Sequence, residues 1–352
     1  MKILFVTATR VGDAVFSMGL LAYLVDRYPG ARLTIAAGPI SAPLFAAVPG
    51  IERLIAVPKR RFGLHWARLF ALVAGQRWDL VVDLRGSGLA WLLRANERRV
   101  MAKGDPDQHR VQQLGQLFGL DPPPSPRLWT APHHDRAAAI LLPAGSPVVA
   151  IGPAAAWIGK EWRPERYAEL ALRLIAPTGP FAGGRVAVLA EEHERAKAAP
   201  ILSAIPPARL IDLVGRTDLP TAAAVMRRCA LFVGNASGLM CLAAAAGTPT
   251  LGLFGPSPVE QYAPWGPGTA VARTSLAPEA MFGPGFDHRT TGTLMDSLSV
   301  DMAEAAARLL WRQCAASEAA PSVAPGHAHI PKTAARAPCV LRDAPLPGRS
   351  SG

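Results

Sequence analysis

The chain has 352 residues, of which 50% are hydrophobic and 18% charged, and its formal net charge at pH 7 is +11. This composition excludes an intrinsically disordered protein and predicts two domains with large cores. The four cysteines fall in no CxxC or zinc-like spacing, and the apolar runs are shorter than a signal peptide or a membrane span of ~20 residues requires. We therefore expect a reducing, cytoplasmic protein.

The positive charge leaves three kinds of partner open, namely nucleic acid, an anionic membrane surface and an anionic substrate. Basic residues cluster at 59–61 and again between Arg94 and Arg99, without the interleaved aromatic residues typical of a single-strand binder. A solvated basic face is the simplest interpretation. A peripheral membrane contact comes next and nucleic acid last.

The first half of the chain alternates apolar runs with stretches of helical periodicity, which predicts a parallel, doubly wound α/β domain. The predicted strands are Ile3–Thr7, Arg32–Ala37, Arg53–Val57, Asp79–Leu84 and Arg99–Ala102. The predicted helices are Ala14–Tyr28, Ala42–Val48, Trp66–Ala74, Leu89–Arg94 and Asp135–Leu142. Four prolines between 122 and 126 interrupt the alternation, and we place this first domain at residues 1–145.

The second half repeats the same alternation and predicts a second Rossmann-like domain at residues 146–314. Its predicted strands are Val148–Ile151, Val186–Ala190, Leu210–Leu213, Leu231–Gly234 and Thr250–Phe254. Its predicted helices are Glu165–Ile175, Glu192–Leu202, Thr221–Arg228, Leu239–Ala246 and Val300–Gln313. We expect the two sheets to face each other across a cleft. Residues 315–352 are mostly Ala, Pro, Ser and Gly, which predicts a disordered tail.

The best candidate for a ligand site is the turn Asn235–Gly238, which lies between a buried strand and an Ala-rich helix. In open α/β sheets ligands bind at the carboxyl ends of strands, where free N–H groups at helix N-termini favour anions. A phosphorylated ligand is therefore expected.

Three charged side chains are candidates for chemistry. Asp13 follows Gly12 at the start of the first helix, where it is either an N-cap or an ionised carboxylate that accepts a proton from a substrate hydroxyl. Lys160 lies in a Gly-flanked loop before a helix, so it either faces solvent or balances charge on a phosphate leaving group. Glu192, in the acidic cluster 191–194, either holds ribose hydroxyls or belongs to a charged first helical turn.

The chain lacks GxGxxG, GxxxxGK[ST], HExxH and GxSxG motifs, which disfavours dehydrogenases, P-loop NTPases, zincins and α/β-hydrolases. It resembles instead the family 9 glycosyltransferases, the heptosyltransferases that build the inner core of bacterial lipopolysaccharide. The resemblance covers most of the chain and rests on an ordered set of short motifs: Arg10 to Asp13, Gly159 to Trp162, Val233 to Asn235, Ser237-Gly238, Ala243 to Gly247, Pro249, Leu253 to Gly255 and Tyr262 to Gly266.

The resemblance implies a GT-B fold and inverting transfer that needs neither a metal ion nor another cofactor. It implies an ADP-activated heptose donor held mainly by the second domain and a lipid-linked acceptor held by the first. By this similarity Asp13 is the catalytic base and Lys160 the lysine at the donor phosphates. The expected donor-binding residues are Gly12, Lys160, Glu192, Ser237, Gly238, Leu239 and Cys241.

Two positions depart from the family pattern, which usually has aspartate at the place of Ala236 and histidine at the place of Cys241. Loss of a hydrogen bond to a charged group typically costs ~1.5–3 kcal/mol, or roughly ten- to a hundredfold in rate or affinity. Two hypotheses therefore stay open: an active heptosyltransferase, peripheral on the cytoplasmic face of the inner membrane, and a catalytically impaired nucleotide-sugar-binding paralogue. Neither needs nucleic acid as a partner.

Overall fold

The computed structural model describes residues 1–102, 104–276, 278–283, 285–319 and 339–340. Within these residues the chain forms two α/β lobes, each built on one sheet whose paired strands are all parallel. This is the doubly wound architecture that the alternation of strands and helices predicts.

The first lobe has a five-stranded sheet with the order β3-β2-β1-β4-β5. Its strands are β1 (Lys2–Val6), β2 (Arg32–Ala37), β3 (Ile51–Ala56), β4 (Trp78–Asp83) and β5 (Ala95–Val100). The helices of this half of the chain are α1 (Val11–Arg27), α2 (Leu64–Val73), α3 (Leu89–Leu92), α4 (Arg110–Gln116) and α5 (Pro132–Leu141). Short 3₁₀ turns occur at Ala42–Phe45 and Arg61–Gly63. The strand order reverses between β1 and β4.

The second lobe has a seven-stranded sheet with the order β12-β11-β10-β9-β6-β7-β8. Its strands are β6 (Val148–Gly152), β7 (Arg185–Val188), β8 (Leu210–Asp212), β9 (Leu231–Asn235), β10 (Thr250–Phe254), β11 (Thr269–Arg273) and β12 (Cys339–Val340). Its helices are α6 (Pro164–Ile175), α7 (Arg195–Ala204), α8 (Leu219–Met226), α9 (Gly238–Ala245), α10 (Val259–Tyr262), α11 (Pro278–Met281) and α12 (Val300–Ala319). Short 3₁₀ turns occur at Ile158–Lys160, Glu192–Glu194 and Pro207–Arg209. The strand order reverses between β6 and β9.

Several predicted elements differ from the structure, and each difference has a local cause. The strand predicted at Arg99–Ala102 is β5, which pairs with β4 from Ala95 onward; its polar edge residues hid the pattern. The helix predicted over 42–48 is a single 3₁₀ turn. The helix predicted over 192–202 is a 3₁₀ turn followed by α7, which contains Pro200. The strand β11 and the helix α4 were not predicted.

The end of the second domain also differs from the prediction. Helix α12 continues to Ala319, so the predicted boundary at residue 314 falls inside it; alanine, taken as a low-complexity signal, is the strongest helix former. Strand β12 pairs in parallel with β11. The rest of the predicted disordered tail, 320–338 and 341–352, lies outside the described residues.

The two lobes share a continuous apolar core. One buried cluster contains Phe5 and Phe16 of the first lobe together with Phe232 and Met240 of the second. Helix α1 packs against α9, and α5 packs against α8, so α5, which precedes the predicted boundary at 145, contacts the second lobe. Among the described residues, no helix combines the length and apolarity needed to span a membrane.

Candidate active site

A polar cavity of about 230 Å³ lies beside the carboxyl ends of β1 and β4. It is lined by Thr7, Ala8, Thr9, Arg10, Asp13, Phe16, Leu84, Arg85, Arg110 and Leu114. Ligands of open α/β sheets bind in the crevice outside the strand ends where the strand order reverses, and β1 and β4 are the strands that flank the reversal in this sheet. The cavity therefore occupies the expected ligand position of the first lobe.

Asp13 lies in the first turn of α1 and lines this cavity. The N-cap of α1 is Arg10, whose side chain makes no capping bond, so the interpretation of Asp13 as an N-cap is wrong. Burial raises the pKa of Asp13 above its usual value, and the guanidinium groups of Arg110 and Arg10 oppose that shift. A carboxylate with a raised pKa is a stronger base than an ordinary surface aspartate, so Asp13 is suited to accept a proton.

Helices α1 and α9 cross at their N-terminal turns, and two glycines allow the close approach. A Cβ on Gly238 would lie 2.6 Å from the Cβ of Val11, and a Cβ on Gly12 would lie 3.2 Å from the sulfur of Cys241. The Ser-Gly turn of the second lobe therefore meets the helix that carries Asp13. Burial raises the pKa of the Cys241 thiol, and the nearby charge of Asp13 raises it further.

Lys160 ends the 3₁₀ turn that follows β6, and the second lobe holds this turn from two sides. Leu294 donates its backbone N–H to the carbonyl of Gly159 at 3.1 Å, and the hydroxyl of Thr293 donates to the carbonyl of Glu161. The Glu161 carboxylate accepts from the backbone of Ala155 at 3.2 Å. The loop is thus fixed before any ligand binds, which lowers the cost of positioning Lys160.

Asn235, at the end of β9, ties both ends of this loop to the strand-order reversal of the second sheet. Its side-chain nitrogen donates to the carbonyl of Pro153 at 2.6 Å, and its side-chain oxygen accepts from the backbone of Trp162 at 3.0 Å and the hydroxyl of Tyr167 at 2.9 Å. Asn235 is fully buried. The Lys160 loop and the Ser-Gly turn are therefore connected through one side chain.

Arg10 brings the two predicted catalytic side chains into one electrostatic site. Burial lowers the pKa of Lys160, and the positive charge of Arg10 lowers it further; the same guanidinium acts on the carboxyl of Asp13. The charge of one arginine therefore acts on a carboxylate of the first lobe and on an ammonium of the second.

Two buried hydroxyls near the Ser-Gly turn have no hydrogen-bond partner within the described part of the chain. They belong to Ser237, the N-cap of α9, and Ser257, which follows β10. Buried polar groups are normally paired, so unpaired hydroxyls beside a helix N-terminus are available to a ligand. Leu239, in the first turn of α9, is half-buried against the second lobe's strand ends.

Glu192 lies in an exposed turn after β7, where it is engaged by Arg195. The Nε–Oε1 distance is 2.8 Å and the Nη2–Oε2 distance is 3.1 Å, and this ion pair lowers the pKa of Glu192. A ribose would have to share these carboxylate oxygens with Arg195.

Two arginines of the cavity, Arg85 and Arg110, are not among the site residues predicted from the sequence. Arg85 directly follows the apolar run of β4, so the rule that ligands bind at strand ends was a usable signal. Arg110 begins α4, whose short pattern of Val111 and Leu114 is too weak to predict a helix alone.

The chain is similar to known proteins over most of its length. The family model for glycosyltransferase family 9 (heptosyltransferase) matches residues 67–283, which is more than half of the chain. Lipopolysaccharide heptosyltransferase 2 of Salmonella typhimurium is 27% identical over 295 residues, covering 73% of this chain and 83% of the relative. Lipooligosaccharide heptosyltransferase 2 of Haemophilus influenzae is 24% identical over 304 residues, covering 75% and 86%.

The same fold is found in a solved structure, E. coli ADP-heptose lps heptosyltransferase II. The two superpose with a TM-score of 0.71 and 21% sequence identity, covering 90% of this chain and all of the E. coli chain. The fold expected from the sequence, two Rossmann-like lobes in the GT-B arrangement, is confirmed.

Proposed function

The chain belongs to glycosyltransferase family 9, and from this premise we propose that it transfers a heptose from ADP-heptose to a lipopolysaccharide core acceptor, with inversion and without a metal ion. The observation that carries the proposal is the contact between the N-terminal turns of α1 and α9, which brings the Ser-Gly turn of the second lobe to the helix that carries Asp13. The charge of Arg10 acts on the pKa of both Asp13 and Lys160. In this proposal the first domain holds the acceptor and the second holds the donor.

The proposed mechanism is a single displacement. Asp13 accepts the proton of the acceptor hydroxyl while that oxygen attacks the anomeric carbon of the donor, and the bond from this carbon to the diphosphate oxygen breaks. The diphosphate leaves with the bonding electron pair, and Lys160 and the N–H groups at the start of α9 stabilise its negative charge. The raised pKa of Asp13 favours proton transfer at neutral pH, and Lys160 supplies positive charge at the leaving group in place of a metal.

The acceptor is proposed to be anionic near the reacting hydroxyl. Arg10, Arg85 and Arg110 line the same cavity as Asp13, so three basic residues share one cavity with one carboxyl group. Guanidinium groups recognise carboxylates and phosphates in paired geometry. An acidic core oligosaccharide fits this cavity better than a neutral one.

The donor is proposed to lie along the strand ends of the second sheet. Gly12, Gly238 and the hydroxyl of Ser237 lie at the crossing of α1 and α9, and we place the diphosphate there beside Lys160. Relatives of this chain are named for an ADP-heptose donor and a lipopolysaccharide acceptor. Glu192 remains our candidate for the ribose, because it follows the strand next to β6, and in the bound state it would share its oxygens between the ribose and Arg195.

The test is ADP release from ADP-heptose in the presence of truncated lipopolysaccharide. We expect Asp13→Asn to lower kcat about 10²–10⁴-fold, the usual contribution of a general base. Asp26→Asn is the matched control, because Asp26 lies on the same helix but pairs with Arg127 at an exposed site. Equal turnover by the Asp13 variant and wild type would remove Asp13 from the role of base, and retention of anomeric configuration in the product would exclude the single displacement.

The alternative, an impaired nucleotide-sugar-binding paralogue, is motivated by Ala236 and Cys241. Cys241 is buried, with its sulfur close to Gly12. For binding the nucleotide sugar it therefore offers only a weak S–H group. Calorimetric binding of ADP without transfer, together with transfer gained by the double change Ala236→Asp and Cys241→His, would favour this alternative.

We also propose that the protein acts in the cytoplasm at the anionic inner-membrane surface, because a lipid-linked acceptor is presented there. The charge of the whole chain, +11, has the sign that such a surface attracts.

A further inference from the structure

One segment of the first lobe exposes aromatic side chains beside consecutive basic residues, and the proposed catalytic site does not use it. The loop 59–64 follows β3 and leads into α2. It contains Lys59, Arg60 and Arg61, which are exposed, followed by Phe62, which is 97% exposed, and Leu64, which is 56% exposed. We refer to this segment as the basic-aromatic loop.

Phe62 is also conformationally unusual. Its φ is +54°, and among the described residues it is the only one other than glycine with a positive φ. A bulky side chain in this region is strained, and the exposed ring gains no burial that would offset the strain. Burial of this ring against a partner would supply the stabilisation that offsets the strain.

The chain on either side of the loop is rich in basic residues. From Arg53 to Trp78 inclusive, the chain has six Lys and Arg residues and no Asp or Glu. A cavity of about 200 Å³ between β3 and α2 is lined by Arg53, Arg60, Arg68 and His65 together with apolar side chains. Such a cavity suits a phosphate group that carries an apolar chain.

A second exposed apolar site lies on the same face of the sheet. Trp91 is 68% exposed and Leu92 is 71% exposed on α3. Helices α2 and α3 share one buried cluster with Leu4 and Val6 of β1, while the neighbouring residues of β1 belong to the cluster on the opposite face. Both exposed sites therefore lie on the side of the first lobe that faces away from α1.

This surface is directly connected to the acceptor cavity. The guanidinium carbon of Arg85 lies 4.7 Å from the ring centroid of Trp66, two residues beyond Leu64, and Arg85 also lines the cavity that contains Asp13. One arginine thus separates the basic-aromatic loop from the proposed acceptor site.

We propose that the basic-aromatic loop, with Trp91 and Leu92, docks on an anionic lipid bilayer, with Phe62 inserted at the level of the headgroups. Anionic bilayers reward both features, because they attract Lys and Arg near the surface and bury inserted aromatic rings. Three consecutive cations, in a segment without an acidic residue from Arg53 to Trp78, favour a surface of uniformly negative charge, and an anionic bilayer is such a surface. The proposal rests on the proposed function only for its purpose, which is to bring a lipid-linked acceptor to Arg85.

The experiment is sedimentation of the full chain with phosphatidylcholine vesicles, with and without phosphatidylglycerol. We expect binding only to the anionic vesicles. Phe62→Ser should weaken it about tenfold or more, as expected for one aromatic ring no longer buried. Replacement of Lys59, Arg60 and Arg61 by Gln should weaken it roughly a hundredfold, at about fivefold for each cation.

The controls match each change in type and charge. Ile140→Ser removes a side chain that is 79% exposed on α5, a helix whose buried Ala138 lies in the cluster on the opposite face of the first sheet. The triple change of Arg136, Arg289 and Arg312 to Gln removes the same charge from exposed sites elsewhere. Both controls should bind anionic vesicles nearly as wild type does.

Other outcomes overturn the proposal. Equal binding to neutral vesicles, or equal losses in the test and control variants, would show that the loop is not the docking surface. Self-association that is weakened by Phe62→Ser, without vesicle binding, would assign the ring to a second copy of the chain instead. Transfer to a soluble acceptor without lipid should be unchanged in Phe62→Ser. The transfer assay therefore tests the proposed enzymatic function, and vesicle binding separately tests the docking surface.

Discussion

At the scale of single residues, the charge of Arg10 acts on the pKa of both proposed catalytic groups, in each case beside a larger effect of burial. Its guanidinium lowers the pKa of Asp13, which burial raises, and lowers the pKa of Lys160, which burial also lowers. In the free enzyme the activity requires Asp13 without its proton and Lys160 with its proton. The acid limb of the pH profile of kcat/KM should therefore lie above the ordinary aspartate pKa of 3.8, and the alkaline limb below the ordinary lysine pKa of 10.5.

Replacement of Arg10 by Gln should move both limbs in the same direction. Without the guanidinium, the pKa values of Asp13 and Lys160 both rise, so the acid limb and the alkaline limb both shift to higher pH. The measurement is kcat/KM across pH for wild type and Arg10→Gln. Arg27→Gln, on the last turn of the same helix, is the control and should leave both limbs in place. A limb that moves toward lower pH would contradict the electrostatic role of Arg10.

At the same scale, the sequence predicted the candidate charged side chains of the site better than the hydrogen bonds that connect its loops. Asp13 and Lys160 each follow a recognisable strand, so the rule that ligands bind at strand ends made them candidates, and the family resemblance gave them their expected roles. Asn235 was visible only as part of a turn, because its three hydrogen bonds reach back 68 to 82 residues along the chain. Contacts at that separation depend on which strands become neighbours, and a single sequence contains no direct signal of that.

At the scale of elements, the crossing of α1 and α9 requires Gly238. Its missing Cβ would lie 2.6 Å from the Cβ of Val11, which cannot move without the backbone, whereas a Cβ on Gly12 would lie 3.2 Å from the movable sulfur of Cys241. We expect Gly238→Ala to destabilise the protein by about 1–3 kcal/mol, as overpacking usually does, and to lower kcat/KM by separating the two lobes' catalytic groups. Gly12→Ala should have a smaller effect on both.

The measurement is the free energy of unfolding in denaturant together with kcat/KM for each variant. Gly75→Ala is the matched control, because a Cβ there meets no atom within 4 Å. A Gly238→Ala protein as stable and active as Gly75→Ala would mean that the helices do not need this close approach.

The elements themselves were predictable where burial produced long apolar runs. The central strands β1, β6, β9 and β10 were found because both of their faces are covered, which gives continuous apolar sequences. The edge strand β5 was misplaced because four of its six residues, Asn96 to Arg99, are polar. Alternation between strand and helix was thus readable in the centre of each sheet and weak at its edge.

At the scale of the whole molecule, His109 joins the two lobes. It caps α4 in the first lobe by accepting the N–H of Val111 at Nδ1, and its Nε2–H donates to the carbonyl of Ala263 in the second lobe at 2.9 Å. Its ring stacks on Trp265 with centroids 4.6 Å apart. Trp265 belongs to one of the motifs that carry the family resemblance, and its packing against His109 gives that motif a structural role at the lobe interface.

The buried imidazole makes the stability of the two-lobe assembly depend on pH. Burial lowers the pKa of His109 from 6.5 to about 4, so the folded protein keeps this ring neutral while the unfolded chain takes up a proton below pH 6.5. The free energy of unfolding should therefore fall as the pH drops from 6.5 toward 4 and then level off with respect to this group. A pKa shift of this size corresponds to a decrease in the free energy of unfolding on the order of 3 kcal/mol.

His109→Gln should remove this part of the pH dependence, because glutamine cannot take up the proton. The measurement is the free energy of unfolding in denaturant at several pH values between 4 and 7 for both proteins. The variant should be less stable than wild type at pH 7, where the bridge to Ala263 is lost or weakened, and the difference should shrink or reverse near pH 4. His288→Gln, at an exposed site, should follow the wild-type curve. If the free energies of unfolding of wild type and His109→Gln change with pH in parallel, His109 takes up its proton equally in the folded and unfolded states. His109 would then not be a pH-dependent contact between the lobes.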